Sequence, residues 1–312
     1  MNITELKRRS AQILNADRGN LSRLTLIHTG ILLGVSAVVF LISYLLSRQI
    51  DSTGGLSGIG MRTTLSAAQT MLTLALAAAT PFWDMGYYRT VLLTARNEVP
   101  TAETLPEGFR RFGPVLRLLI LRLALVLGIG FACLQAASIL FMMSPWSLRT
   151  LEAMENLMGQ MDPAQLQAMD PAALTALLPT MIPIYVLFAA LLCVVLIPML
   201  YRLRLADFAI MDTAPGARAA FRESGARMRG NRFQFFKLDL SFWWYYGLQL
   251  LAASVAYGDL LTAWLDLPIN QDVAYFGFYF LSLVCQLLLA WKFAPGVMTT
   301  YAAAYEELKI KN

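Results

Sequence analysis

Six apolar stretches, Leu24 to Leu46, Thr63 to Trp83, Leu123 to Met143, Met181 to Leu200, Leu240 to Tyr257 and Val273 to Trp291, contain no acidic or basic residue apart from His28. A helix needs about 20 apolar residues to cross the roughly 30 Å hydrocarbon core of a bilayer, where every backbone polar group must be satisfied within the protein. The expected fold is therefore all-α, a polytopic membrane helix bundle with six transmembrane helices. Composition agrees. With 57% hydrophobic and 14% charged residues, the chain lies far from the roughly 25% charged residues of soluble domains. The fifth stretch is the shortest. It opens on Phe242, Trp243, Trp244, Tyr245 and Tyr246, the aromatic pattern of a helix start anchored among headgroups.

Lys and Arg gather in every second gap. The segments before the first stretch, from Asp84 to Arg122, from Arg202 to Asp239 and after Trp291 hold 22 of the 25 basic residues, and the alternate gaps hold Arg48, Arg62 and Arg149. The positive-inside rule then places both termini in the cytoplasm. The first apolar run is too long for a secretory signal, whose apolar region is about 7–15 residues, so an uncleaved helix is expected. A net charge of +5 does not indicate nucleic acid, because the basic residues flank the spans and form no compact basic domain. The basic face suits anionic lipid headgroups instead.

The spans form one integral membrane domain over residues 1–312, with three appendages. Residues 1–23 read as a cytoplasmic amphipathic segment, with Thr4 as N-cap and Ile3, Leu6, Ile13 and Leu14 on one face. Residues 144–180 read as an external helical insertion, in which MDPAQLQA is followed by MDPAALTA. There Asp162 and Asp170, each before a proline, are expected to cap two short helices. Residues 202–239 read as a basic helix region, capped by Asp212 and ending at Gly230. Its Arg218, Arg222, Arg227, Arg229 and Arg232 are candidates for contact with anionic lipid.

Catalytic chemistry finds little support. Gly55, Leu56, Ser57 and Gly58 are similar to the serine motif of rhomboid proteases, but roughly 19 helical residues at about 1.5 Å each separate Ser57 from the level of His28. A nucleophile and its base must approach hydrogen-bond distance. A single histidine permits no paired-histidine metal motif, no phosphate-binding loop is present, and the three cysteines lie inside apolar stretches. No cofactor, metal or enzymatic activity is expected. Ionisable and polar groups near membrane depth are the remaining candidates: Asp84, expected to pair with Arg122, and the glutamines Gln69, Gln135, Gln249 and Gln286. The glutamines suit either interhelical bonding or a cavity for a neutral or zwitterionic ligand. Gly30 with Gly34, and Gly128 with Ala132 and Ala136, suggest close helix packing. Pro81 before Tyr87 and Tyr88, Pro198 before Tyr201 and Pro295 before Tyr301 suggest kinks around an inner vestibule.

The run LADFAIMDTAPGARAAFRESGARMRGNRFQFFKLDLSFWW and the closing APGVMTTYAAAYEEL resemble a bacterial integral-membrane family, domain of unknown function 975. Asp212, Ser224, Gly230, Leu238 to Phe242, Tyr301 and Tyr305 carry the resemblance. MGYYRTVLLTARNEVPTAETLPEGFRRF extends it to the first half, with residues 145–180 looking like an insertion. The resemblance implies a multi-pass protein of the bacterial plasma membrane and assigns no functional residue. The expectation that follows is a non-enzymatic role in envelope or lipid homeostasis, with a small-molecule transporter as the alternative.

Overall fold

The computed structural model describes residues 2–52, 57–160, 171–213, 216–264 and 270–311, and every regular element among them is helical. Two compact units divide the chain: Met1–Arg117 with Arg204–Asn312, and Leu118–Leu203. Among the described residues, five stretches are long and apolar enough to cross a membrane: Asn20–Arg48, Thr63–Ala95, Phe112–Met142, Ile182–Asp212 and Asp272–Ile310.

The expected sixth crossing, Leu240 to Tyr257, is not one long helix. The helix α11 (Trp243–Ser254) has 12 residues, or about 18 Å at 1.5 Å per residue, well short of a hydrocarbon core. It is separated from α10 (Arg232–Leu240) by a turn in which the Phe242 N–H donates to the Asp239 carbonyl at 3.0 Å and Ser241 Oγ donates to the Leu238 carbonyl at 2.6 Å. Beyond α11 the backbone tightens into a 3₁₀ turn, Val255–Tyr257, before α12 (Gly258–Trp264). Gly258 lies against the Phe278 ring, which an added Cβ would meet at 2.5 Å. The absence of charged residues from Leu240 to Tyr257 carries no signal of such breaks.

In the larger unit, α2 (Asn20–Ser52), α3 (Ser57–Ala95) and α13 (Gln271–Lys311) pack against one another. The two longest helices, with 39 and 41 residues, reach about 60 Å, twice the hydrocarbon thickness. Their middle portions present Met71, Leu74, Phe280 and Leu288 outward, as suits side chains that face lipid. Their C-terminal ends differ. There Met85, Val91, Leu92 and Ala95 of α3 and Val297, Ala302 to Tyr305 and Leu308 of α13 are buried, forming a water-soluble type of core beyond the apolar windows. The short α8 (Ala206–Asp212) is inserted into it, with Ala206 through Met211 all buried.

Around this core pack α1 (Ile3–Ala16), α9 (Ala217–Arg227) and α4 (Glu107–Arg110). The cap of α1 is Asn2 and not Thr4, whose N–H donates to Asn2 Oδ1 at 3.2 Å. Its apolar face is covered by protein: Leu6 and Ile13 are buried, and Ser10 Oγ donates to the Gly296 carbonyl of α13 at 3.1 Å. Burial also draws the Lys7 ammonium below its ordinary pKa, where it donates to the Ser241 carbonyl at 3.2 Å. A reciprocal glycine contact locks α4 and the turn before it onto α3. A Cβ on Gly86 would stand 1.7 Å from the Leu105 carbonyl oxygen, and one on Gly108 would stand 1.9 Å from that of Phe82. By contrast, added Cβ atoms at Gly30, Gly34 and Gly128 meet nothing within 4 Å, so the close packing expected there is not made.

The smaller unit consists of most of α5 (Phe112–Met142) with α6 (Pro145–Gln160) and α7 (Pro171–Leu203). Only one separate short helix, α6, is described between Ser144 and Thr180. Pro171 opens α7, which continues without interruption into the fourth apolar stretch. The expected caps Asp162 and Asp170 lie outside the described residues.

Candidate functional site: a polar layer at the ends of the long helices

The polar residues of the larger unit converge where α3 and α13 outrun their apolar windows. On α13, Tyr301, Tyr305 and Lys309 recur every four residues and so share one face. The Asp212 side chain, 4% exposed, closes α8 against this face. It accepts from Arg96 Nη2 at 2.8 Å, Lys309 Nζ at 2.8 Å and Tyr305 Oη at 3.1 Å. Arg96 also donates to Glu306 Oε1 from Nε at 2.9 Å and from Nη2 at 2.6 Å. Burial works against the Arg96 charge, but the carboxylates of Asp212 and Glu306 outweigh it and hold the guanidinium above its ordinary pKa. Asp212 is therefore a tie between α3, α8 and α13. The N-cap of α9 is Gly216, and that helix ends at Arg227, ahead of Gly230, whose φ of +80° turns the chain into α10.

Two further arginines hold the same C-terminal end of α8. Arg111 Nη1 donates to the Ile210 carbonyl at 3.1 Å and Arg89 Nη1 to the Met211 carbonyl at 3.4 Å, with Glu107 within 3.6–3.7 Å of both guanidinium groups. Cations at a helix C-terminus satisfy orphan carbonyls and oppose the helix dipole. Near its start, the Leu205 N–H donates to the buried Ser224 Oγ at 3.2 Å.

A second constellation surrounds Arg204. Its Nη2 lies 3.3 Å from Asp239 Oδ1 and its guanidinium carbon 5.0 Å from the Tyr301 ring centroid. Tyr301 Oη also donates to Asp239 and sits 3.0 Å from Tyr246 Oη. Two cavities open here. The inner one, about 220 Å³, is lined by Tyr88, Arg204, Asp207, Phe208, Tyr246 and Tyr301 among others, and the outer one, about 490 Å³, by Arg204, Phe236, Asp239, Leu240, Trp243 and Tyr246. They share Arg204 and Tyr246. Of the tyrosines that follow the three prolines, Tyr88 and Tyr301 thus meet around one hollow.

The candidate residues read from sequence are distributed as follows. Asp84, 43% exposed, lies 3.3 Å from Nε2 of the buried His28, without hydrogen-bond alignment. The His28 ring stacks on Tyr87 at 4.6 Å and on Trp83 at 5.9 Å. Arg122 belongs to the smaller unit, as does the exposed Gln135. Gln69 is half-buried on α3. Gln249 and Gln286 donate within their own helices, to Tyr245 Oη at 3.3 Å and Ser282 Oγ at 2.9 Å. Arg218, Arg222, Arg229 and Arg232 are exposed, as are Phe233 and Phe236 of α10. Arg227 departs from that group: it is 7% exposed, paired to Glu223 and held 4.1 Å over the Tyr305 ring, so it serves the core and not the surface. Among the described residues, no group of three or more His, Cys, Asp or Glu is placed to hold a metal ion.

Sequence reading did not single out Arg96, Glu306 and Lys309, nor the grouping of Arg204, Asp207, Asp239 and Tyr246. The available signal was the four-residue spacing of Tyr301, Tyr305 and Lys309 on one face of a helix continuing past its apolar window.

Long apolar helices with lipid-facing middles, joined to a polar layer at their ends, define an all-α multi-pass membrane protein. Over residues 1–312 the chain matches the family described as "Protein of unknown function (DUF975)". It belongs to that family. No curated protein and no solved structure matches it.

Proposed function

We propose that this is a non-enzymatic membrane protein of the bacterial plasma membrane, with both termini in the cytoplasm, whose basic inner face engages anionic lipid headgroups in envelope or lipid homeostasis. The observation that carries this reading is the exposed set Arg218, Arg222, Arg229 and Arg232, which lies with exposed Phe233 and Phe236 on the consecutive α9 and α10 and the turn between them. Arginines paired with apolar rings suit the boundary between headgroups and acyl chains. Each basic group near an anionic surface contributes about 1 kcal/mol of attraction. The transport alternative requires Asp84 and the four glutamines to line one cavity. Gln249 and Gln286 already bond within their own helices, which favours the lipid-contact reading.

The test is native mass spectrometry of the full chain from nanodiscs holding equal amounts of phosphatidylglycerol and phosphatidylcholine. Preferential retention of the anionic lipid is expected, and replacing the four exposed arginines with glutamine is expected to abolish the preference. Equal retention of the two lipids by the unmodified protein refutes the reading.

A further inference from the structure

We propose that the paired cavities at Arg204 form a binding site for a phosphate–ammonium zwitterion, the headgroup chemistry of an ethanolamine phospholipid. The lining sets the ligand's charge. Asp207 lines the inner cavity, Asp239 lines the outer one and Arg204 lines both, so each compartment offers a carboxylate beside the shared guanidinium, a lining suited to a ligand that carries both charges. The rings of Tyr88, Phe208, Tyr246 and Tyr301 line the same inner hollow as Asp207. Aromatic faces attract a desolvated ammonium through their quadrupoles, and a carboxylate accepts hydrogen bonds from a primary ammonium that a trimethylammonium cannot donate.

Size separates the two compartments. At about 220 Å³, the inner cavity is smaller than the roughly 300–1,000 Å³ of drug-sized ligand pockets, and it suits a small charged group. The outer cleft, about 490 Å³, is edged by exposed Phe236, Leu240 and Trp243, the lining an acyl or glycerol portion requires. Arg204 stands in both. A guanidinium has five N–H donors in a planar fork suited to phosphate oxygens, and Arg204 directs Nη2 to Asp239. A phosphate at the junction, with its ammonium inward and its chains outward, meets each wall with matching chemistry. The site is separate from the exposed arginines of α9 and α10.

The experiment uses the full chain in nanodiscs of equimolar phosphatidylethanolamine and phosphatidylcholine, read by native mass spectrometry. Both lipids are zwitterionic, so the exposed arginines do not discriminate between them, and failure here is distinguishable from failure of the anionic-face reading. Retention of the ethanolamine lipid is expected to exceed that of the choline lipid about tenfold, equivalent to about 1.4 kcal/mol. The ratio is expected to fall stepwise for N-methyl and N,N-dimethyl lipids, a series that needs no variant to fold. Asp207→Asn and Arg204→Gln are each expected to bring the ratio close to one. Displacement of the lipid by millimolar O-phosphoethanolamine identifies a soluble ligand as the natural source, and lack of displacement identifies the lipid. Equal retention across the methylation series, or a preference that survives in folded Asp207→Asn protein, overturns the proposal.

Discussion

Asp212→Ala tests the reading of the polar layer as a structural lock. The wild-type carboxylate is nearly inaccessible and collects Arg96, Lys309 and Tyr305 at 2.8, 2.8 and 3.1 Å. Removing one partner of a buried ion pair costs about 3–5 kcal/mol because the remaining charge is left unpaired. Two features place this site at the low end. Arg96 keeps Glu306, and Lys309, 35% exposed, recovers hydration by turning outward. The expected loss is about 3 kcal/mol for Asp212→Ala and about 1.5 kcal/mol for Asp212→Asn, which retains a neutral acceptor. Unfolding in mixed micelles by titration with sodium dodecyl sulfate, followed by tryptophan fluorescence, measures both. The double variant with Glu306→Gln isolates the shared guanidinium. With both carboxylates gone, Arg96 has no anionic partner in this network, so the combined loss is expected to exceed the sum of the single losses by about 1–2 kcal/mol. A loss under about 0.5 kcal/mol for Asp212→Ala, within the range of ordinary surface substitutions, refutes the lock, and additivity in the double variant refutes the shared-guanidinium argument.

Gly86→Ala and Gly108→Ala place a methyl group against carbonyl oxygens that belong to backbone and cannot rotate away. Each is expected to lose at least about 3 kcal/mol in the same titration, the upper end of overpacking costs. Gly30→Ala, which meets open space, is expected to change stability by no more than about 1 kcal/mol, the helix-propensity difference. For orientation, Glu155→Cys and Arg229→Cys are introduced singly after Cys133, Cys193 and Cys285 have been changed to serine. In intact cells a membrane-impermeant maleimide is expected to label position 155, and to label position 229 only after permeabilisation. The reverse pattern refutes the cytoplasmic placement of α9 and α10.

Hydropathy locates the centres of five long helices because desolvation of side chains and backbone in lipid is a local property, readable from about 20 consecutive residues. Helix continuation past the apolar window is less local. Residues 84 to 95 contain Asp84 and Arg89, so a hydropathy criterion ends the second span near Trp83, while the helix runs to Ala95. What stabilises those extra turns is non-local: Gly86 against Leu105, Thr90 Oγ1 at 2.8 Å from Thr104 Oγ1, and Arg89 held by Glu107 and the end of α8. The opposite error arises at Leu240 to Tyr257, where an apolar stretch is broken by Ser241, which turns its hydroxyl back to Leu238, and by the packing of Gly258 on Phe278.

Partner choice within the polar layer is hidden for the same reason. Asp212 precedes a helical, arginine-rich segment and has the composition of a cap, yet its partners come from positions 96, 305 and 309. Those distances along the chain close only once α3 and α13 have packed. The charge asymmetry that gives an orientation from sequence therefore combines two populations of arginine with different physics. Arg218, Arg222, Arg229 and Arg232 remain exposed at the surface, whereas Arg96 and Arg227 are held against carboxylates and a tyrosine ring in the core. Changes to the first population are expected to alter which lipids the protein retains, and changes to the second to alter whether its extended helix ends stay assembled.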